Sequence, residues 1–515
     1  MLLGLLPAIA AEPAAAAEET INHGGLVGEI PRLDLAEFQD GEVLSGEQVG
    51  RYLVLGGDFT TIRKTDGTLV TQPYLAAIDI GTGELVENFA PQLNGDVLAV
   101  FPGPDDESVY VGGRFTQVNG NWQVRMVRLN LHDGSVYGGW QNVDATAKVT
   151  TIDESGGRLF VGGDFARIGG RSIEHLAELN PETGAVNPSF SFNFTGSTPM
   201  IHAAEIVQGG TRLAVVHKAN SINGAAARTT AVFNISSPGN PSLTPHRMSN
   251  RQGVDAAKIT GGDISPDGRW MAVSQGFRTA SDYVYLVAVS DTANETGGWT
   301  HYMRDSSTGI TVSDAAVYVG GHFCKLDAGP RATDPGVFRG QTCTGSFFNG
   351  GVWRKQLAAL SLTDGTPLDW DPGNDAFRGA ELVHAIPRGL IIGYDGTRTG
   401  TGGHRVGPLA FFDLGAPALP PPPDPPDPPV QLACAATVND DTVTLTWDNA
   451  GVGTYVVRRD NGWLANVKTL TYQDTPTAGD HSYVIRVWVG GGMQDISCQP
   501  NPITVTGDPP PADLA

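Results

Sequence analysis

Two histidines, His202 and His384, have the best claim to chemistry in this chain. Each stands second in a short apolar run, Ile201-His-Ala-Ala204 and Val383-His-Ala-Ile386. Imidazole titrates near neutrality, so two that face each other across a channel could bind a ligand or act as acid and base. The matching places in other runs hold Leu98, Thr150, Thr260 and Thr311. That pattern equally suits two hydrogen-bonded or solvated histidines, and both readings stay open at this point. Asp105, Asp106, Asp263, Asp267 and Asp371 fall in expected loops and could supply oxygen ligands to Ca²⁺. They form no Asp-x-Asp-x-Asp-Gly loop and are read as turn formers. No Ser/His/Asp order, phosphate loop or Walker motif stands out. No cofactor or metal is expected, and no catalytic residue is assigned.

There are four cysteines. A Pro-rich segment separates them two and two, which suggests the pairs Cys324–Cys343 and Cys434–Cys498. No Cys-x-x-Cys spacing or histidine cluster supports a metal site instead. Disulfides fit an oxidising compartment.

What must position these residues is a repeat. Tyr110-Val-Gly-Gly-Arg-Phe115 returns as Leu53-Val-Leu-Gly-Gly-Asp-Phe59, Phe160-Val-Gly-Gly-Asp-Phe165 and Tyr318-Val-Gly-Gly-His-Phe323. The period is about 53 residues. Weaker copies fill the gaps at Arg212-Leu-Ala-Val-Val-His217 and Arg269-Trp-Met-Ala-Val-Ser274, and a last one is Gly389-Leu-Ile-Ile-Gly-Tyr394. An apolar run precedes each copy, starting at Val43, Val97, Val149, Ile201, Ile259, Ile310 and Val383. A third run follows and ends in a turn, as in Leu176-Ala-Glu-Leu-Asn-Pro-Glu-Thr-Gly184, and a fourth carries Phe89, Trp140, Phe190 or Trp370. Four short strands per unit at even spacing describe a blade of a β-propeller. The fold expected is all-β: a seven-bladed propeller of four-stranded blades over 24–415, then a C-terminal β-sandwich. The Gly-Gly pair is expected to allow close backbone approach or a bulge. Residues 25–33 are expected to supply the last blade's missing fourth strand and so close the ring.

The flanking segments divide the chain further. Residues 1–19 read as the remnant of a secretory signal or a disordered terminus. Residues 416–430 are a polyproline II spacer, and 508–515 a disordered tail. No later run approaches the ~20 apolar residues of a membrane helix. The net charge of −22 opposes non-specific binding to nucleic acid.

The unit, cleanest from Val149 to Gly184, resembles the bacterial delta-60 repeat of secreted β-propeller proteins, over most of 40–415. The resemblance implies a propeller in an extracellular setting and carries over no catalytic residue. The Asp/Asn-x-x-Thr-Gly turns at Asp79 and Asn180 also resemble the blade motif of quinoprotein dehydrogenases, with Trp140 and Trp370 near the docking-tryptophan position. No vicinal cysteine pair accompanies them, so these turns read as structural. Residues 431–507, with Trp447 in the core and Tyr483 at a tyrosine-corner position, resemble a fibronectin type III domain. The role expected is a secreted, monomeric, non-catalytic protein binding an extracellular protein or glycan. The alternative is a propeller enzyme acting on carbohydrate, or a quinoprotein-like oxidoreductase.

Overall fold

The computed structural model describes residues 23–415, except 106, 238, 247, 249–253, 277–282, 291–296, 304 and 327–351. It also describes 433–506, except 440, 449–454, 461, 490 and 491. Contacts divide the chain into two compact units, Met1–Pro420 and Pro421–Ala515. Nearly all the regular structure is strand; a 3-10 turn, Ala256–Lys258, is the one helical element among the described residues.

The first unit is a β-propeller. Its inner strands are Val43–Val49, Val97–Pro102, Val149–Ser155, Ile201–Val207, Ile259–Ile264, Ser307–Val312 and Ala380–Ile386. Each pairs antiparallel with the repeat strand that follows it, and that strand pairs with a third. Successive inner strands lie side by side, and the last returns to the first. Arg388 N–H, just past Ala380–Ile386, donates to Gln48 Oε1 at 3.1 Å across that join.

The glycines explain the packing. A Cβ on the first glycine of a pair would strike the next blade's inner strand. Gly56 would meet Val97 at 2.2 Å, Gly112 would meet Val149 at 2.7 Å and Gly162 would meet Ile201 at 2.7 Å. A Cβ on the second would strike the carbonyl just before its own inner strand, as Gly113 would at Asp96 O, 2.1 Å away. Every inner strand carries a register shift beside that point. The phenylalanine that follows, Phe59, Phe115, Phe165 or Phe323, is fully buried. The fourth blade puts Val216-His217 where glycines would be, and the steric problem is solved from the other side. Gly262, on the fifth inner strand, has no Cβ to meet Val216, which would lie 2.5 Å away.

Two expectations need correction. Blades one, two, three and six have three strands, and the fourth run makes a single bridge, such as Ile78↔Leu85 or Leu360↔Pro367. After that bridge the chain turns and tucks its aromatic ring against the second strand. Trp140 meets Tyr110 at 5.7 Å between centroids, Phe190 meets Phe160 at 5.1 Å and Trp370 meets Tyr318 at 5.1 Å. Only the fourth and fifth sheets have four strands among the described residues, ending in Ser242–Leu243 and Gly298–Tyr302. Residues 25–33 form no strand. They lie along the last two blades, with Arg32 N–H donating to Phe411 O at 2.8 Å and Trp370 Nε1 donating to Gly28 O at 3.3 Å.

In the second unit seven strands hydrogen-bond in one continuous order. Its middle is a parallel pair between Gly492–Gln499 and Cys434–Asn439. The disulfide Cys434–Cys498 sits on that pair. Trp447 and Tyr483 are both in the core, and Tyr483 OH donates to Asp474 Oδ2 at 2.7 Å. The expected Cys324–Cys343 bridge falls outside the described residues, because Cys343 does. No helix among the described residues is long and apolar enough to cross a membrane.

Candidate functional site

Along every inner strand the second and fifth residues carry the side chains that line the centre of the ring. Strand alternation puts them on one face, and the bulge between the first and third residues adds one residue to the spacing. The second position holds Leu44, Leu98, Thr150, His202, Thr260, Thr308 and Glu381. The fifth holds Glu47, Phe101, Asp153, Glu205, Asp263, Thr311 and His384. His202 and His384 are therefore not equivalent. His384 pairs with Ile391 as Glu205, not His202, pairs with Ala214. The sixth and seventh inner strands begin at Ser307 and Ala380, three residues before Ile310 and Val383. Their opening residues are small or polar, so an apolar run starts late.

The fifth positions form a polar belt from blade to blade. Asp153 Oδ2 accepts from Ile206 N–H of the next inner strand at 2.5 Å. Asp263 Oδ2 accepts from Val312 N–H at 2.7 Å and from Thr311 Oγ1 at 2.8 Å. Thr311 Oγ1 then accepts from Ala385 N–H at 3.1 Å. His384 Nε2 meets Glu47 Oε2 at 2.8 Å, while Gln48 N–H donates to Glu47 Oε1 at 3.0 Å. The second blade interrupts the belt for two reasons. Phe101 cannot accept, and Pro102, at the sixth position, has no N–H to donate.

Electrostatics follow from this geometry. Burial holds the Glu205 carboxyl well above the usual range, and the Asp263 and Asp153 carboxylates push it further. Burial also raises Asp263, against the pull of His384 and its hydrogen bonds to Val312 and Thr311. For His384 burial acts downward, but Glu47 and Asp263 outweigh it and lift the imidazole to about 9. The His384 imidazolium thus faces Glu47 at neutral pH, near a carboxyl whose pKa burial raises. No group of three or more His, Cys, Asp or Glu side chains could hold a metal ion among the described residues.

The second positions are tied differently. Thr150, Thr260 and Thr308 donate to the first carbonyl of the next inner strand, at 2.8, 2.6 and 2.7 Å. His202 takes no such bond, and its Nε2 is buried without a partner. Burial, then Lys218, Lys148 and His217, hold its pKa down to about 3. It is a neutral imidazole beside two ammonium groups.

Of the candidate loop aspartates, Asp106 lies outside the described residues, and Asp105 and Asp267 behave as turn and ion-pair residues. Asp105 accepts from Ser108 Oγ at 2.6 Å and pairs with the fully buried Arg128 at 2.7 Å. Asp267 accepts from Ser265 Oγ at 2.6 Å. Asp79 and Asn180 accept from backbone N–H groups within their own turns, and Gly83 and Gly184 close those turns at positive φ. Asp263 alone of that set belongs to the belt. The outer hairpins that follow the second strands lie at the end where inner strands begin. Trp122 and Trp353 occupy the same register position on the hairpins of blades two and six, 61% and 44% exposed.

The family comparison agrees with the fold. Residues 106–136 match a family described as a domain of unknown function (DUF5122), beta-propeller. No curated protein matches the chain. Among solved structures it is similar to the Cps50 (Swd1) beta-propeller domain of Myceliophteria thermophila, at 11% identity. That likeness covers 70% of this chain and 94% of the other, with a TM-score of 0.41.

Proposed function

We propose that the chain is an exported, non-catalytic binding protein. In this reading it is a seven-bladed propeller of the delta-60 type that recognises an extracellular glycan or protein, followed by a fibronectin-type-III-like sandwich. The observation that carries the reading is the belt. The carboxylates an enzyme would need at the centre of the ring accept hydrogen bonds from the next blade's backbone, so their lone pairs hold blades together. The exposed Trp122 and Trp353, presented on one end of the propeller, suit stacking on sugar rings or docking against a protein.

One observation favours an enzyme acting on carbohydrate instead. Glu205 and Asp263, both raised by burial, and the His384–Glu47 pair are perturbed groups in one place. Retention on a panel of insoluble polysaccharides and cell walls, with assay of released sugar, separates the two. Binding without release, weakened by Trp122→Ala or Trp353→Ala, is expected. Sugar release abolished by Glu205→Gln would make the protein an enzyme.

A further inference from the structure

Cations around the mouth of the ring are neutralised nearly everywhere. Arg114 pairs with Asp96 at 2.7 Å, Arg378 with Asp395 at 3.4 Å and Lys258 with Asp255 at 3.7 Å. Blades three and four break that rule. Lys148 immediately precedes the third inner strand, and its one carboxylate, Asp164, lies at 4.0 Å. Lys218 immediately follows the second strand of blade four. Its N–H donates to Met200 O at 2.8 Å, which fixes it at the start of the fourth inner strand, two residues from His202. No acid lies within ion-pair distance of its side chain among the described residues. Thr150 Oγ1 donates to Ile201 O and draws the two inner strands together here. Lys218 is lowered by burial and by Lys148, so the two ammonium groups sense each other.

We infer that Lys148, Lys218 and His202 form an anion-binding pocket at the mouth of the propeller, which takes the carboxylate of an acidic sugar. The chemistry is direct. A half-buried Lys218 ammonium with no acid within ion-pair distance among the described residues and a Lys148 ammonium whose one carboxylate lies at 4.0 Å, beside a buried ring nitrogen without a hydrogen-bond partner, are satisfied together by one carboxylate. In the tautomer that carries its proton on Nε2, His202 donates to that carboxylate. The chain's charge of −22 opposes a polyanion, so the fitting ligand is a glycan with isolated uronate residues. Trp122, on the neighbouring second blade and the same end, offers a ring for an adjoining neutral sugar.

This inference rests on the reading of the propeller as a glycan binder, and the test separates the two. Isothermal titration of the full chain would use a glucuronic-acid-containing disaccharide, its neutral glucose analogue, acetate and an acidic peptide. The uronate disaccharide is expected to bind. Lys218→Met and, separately, Lys148→Met should weaken it at least tenfold, while Lys218→Arg retains most of the affinity. Circular dichroism checks that each variant is folded. Bound uronate should also move the His202 ring resonances in the wild-type spectrum. Uronate binding that neither lysine substitution weakens would overturn the pocket. So would binding of the neutral sugar alone, though glycan recognition would then stand. Lysine-dependent binding of the acidic peptide without uronate binding would overturn the sugar assignment. Binding of none of the probes would overturn both.

Discussion

The fifth positions of the inner strands and the mouth of the ring at blades three and four hold their charges in opposite ways. At the fifth position Asp153, Asp263 and Thr311 each accept from the next inner strand, and Glu47 holds His384. At the mouth Lys148 has one carboxylate at 4.0 Å, Lys218 has none within ion-pair distance among the described residues, and His202 lacks the bond its threonine counterparts make. The difference teaches that a perturbed titratable group in a channel is not by itself a sign of chemistry. Partners decide. Groups already bonded to backbone serve the fold, and groups left wanting a partner are available to a ligand.

The sharpest way to break this contrast is to cut the belt. Asp263→Ala should cost about 2–3 kcal/mol in denaturant unfolding, because Val312 N–H and Thr311 Oγ1 lose their acceptor. A loss under about 0.5 kcal/mol would mean the belt carries no load.

His384→Gln comes next. The folded pKa of His384, about 9, lies above its ordinary 6.5. Its contribution to stability is therefore complete below pH 6.5 and is lost as pH rises through 9. Wild-type stability should fall by about 1 kcal/mol per pH unit across that window, and the variant should fall less steeply. Equal slopes would contradict the ion pair with Glu47.

Glu205→Gln should be milder and of opposite sign. The folded carboxyl keeps its proton to a higher pH than the unfolded one. The wild type thus loses stability as pH rises above the ordinary carboxyl range, and a permanently neutral amide does not. At pH 8 the variant should be more stable by on the order of 1 kcal/mol. The smallest effect belongs to the mouth: Lys218→Met should change stability by less than about 0.5 kcal/mol, because it removes no bond and relieves a like-charge contact.

Much of the fold could be read from the sequence because the repeat is steric. Gly-Gly recurs where a Cβ would strike the neighbouring blade or the bulge carbonyl. Blades four and five were harder to read because Gly262 takes over the space that glycine leaves at Val216. The fourth strands were over-read: their aromatic rings tuck inward after one bridge. The site was less legible. The belt shares a register position, not a residue type, so Glu47, Phe101, Asp153 and His384 show no motif. The seventh inner strand begins at Ala380 but its apolar run only at Val383, so aligning the run starts matches His384 with His202. Aligning the inner strands on the bulge would have brought Glu205 and Asp263 together. Lys218 carries a signal too, standing where the clear repeats have the residue after Gly-Gly, next to the mouth.

The most direct test puts one substitution from each region side by side: thermal midpoint and retained uronate disaccharide for Asp263→Ala and Lys218→Met. The account predicts a lowered midpoint with binding kept for the first, and an unchanged midpoint with binding lost for the second. Binding lost in a stable Asp263→Ala protein, with Lys218→Met binding normally, would place recognition in the belt and contradict it.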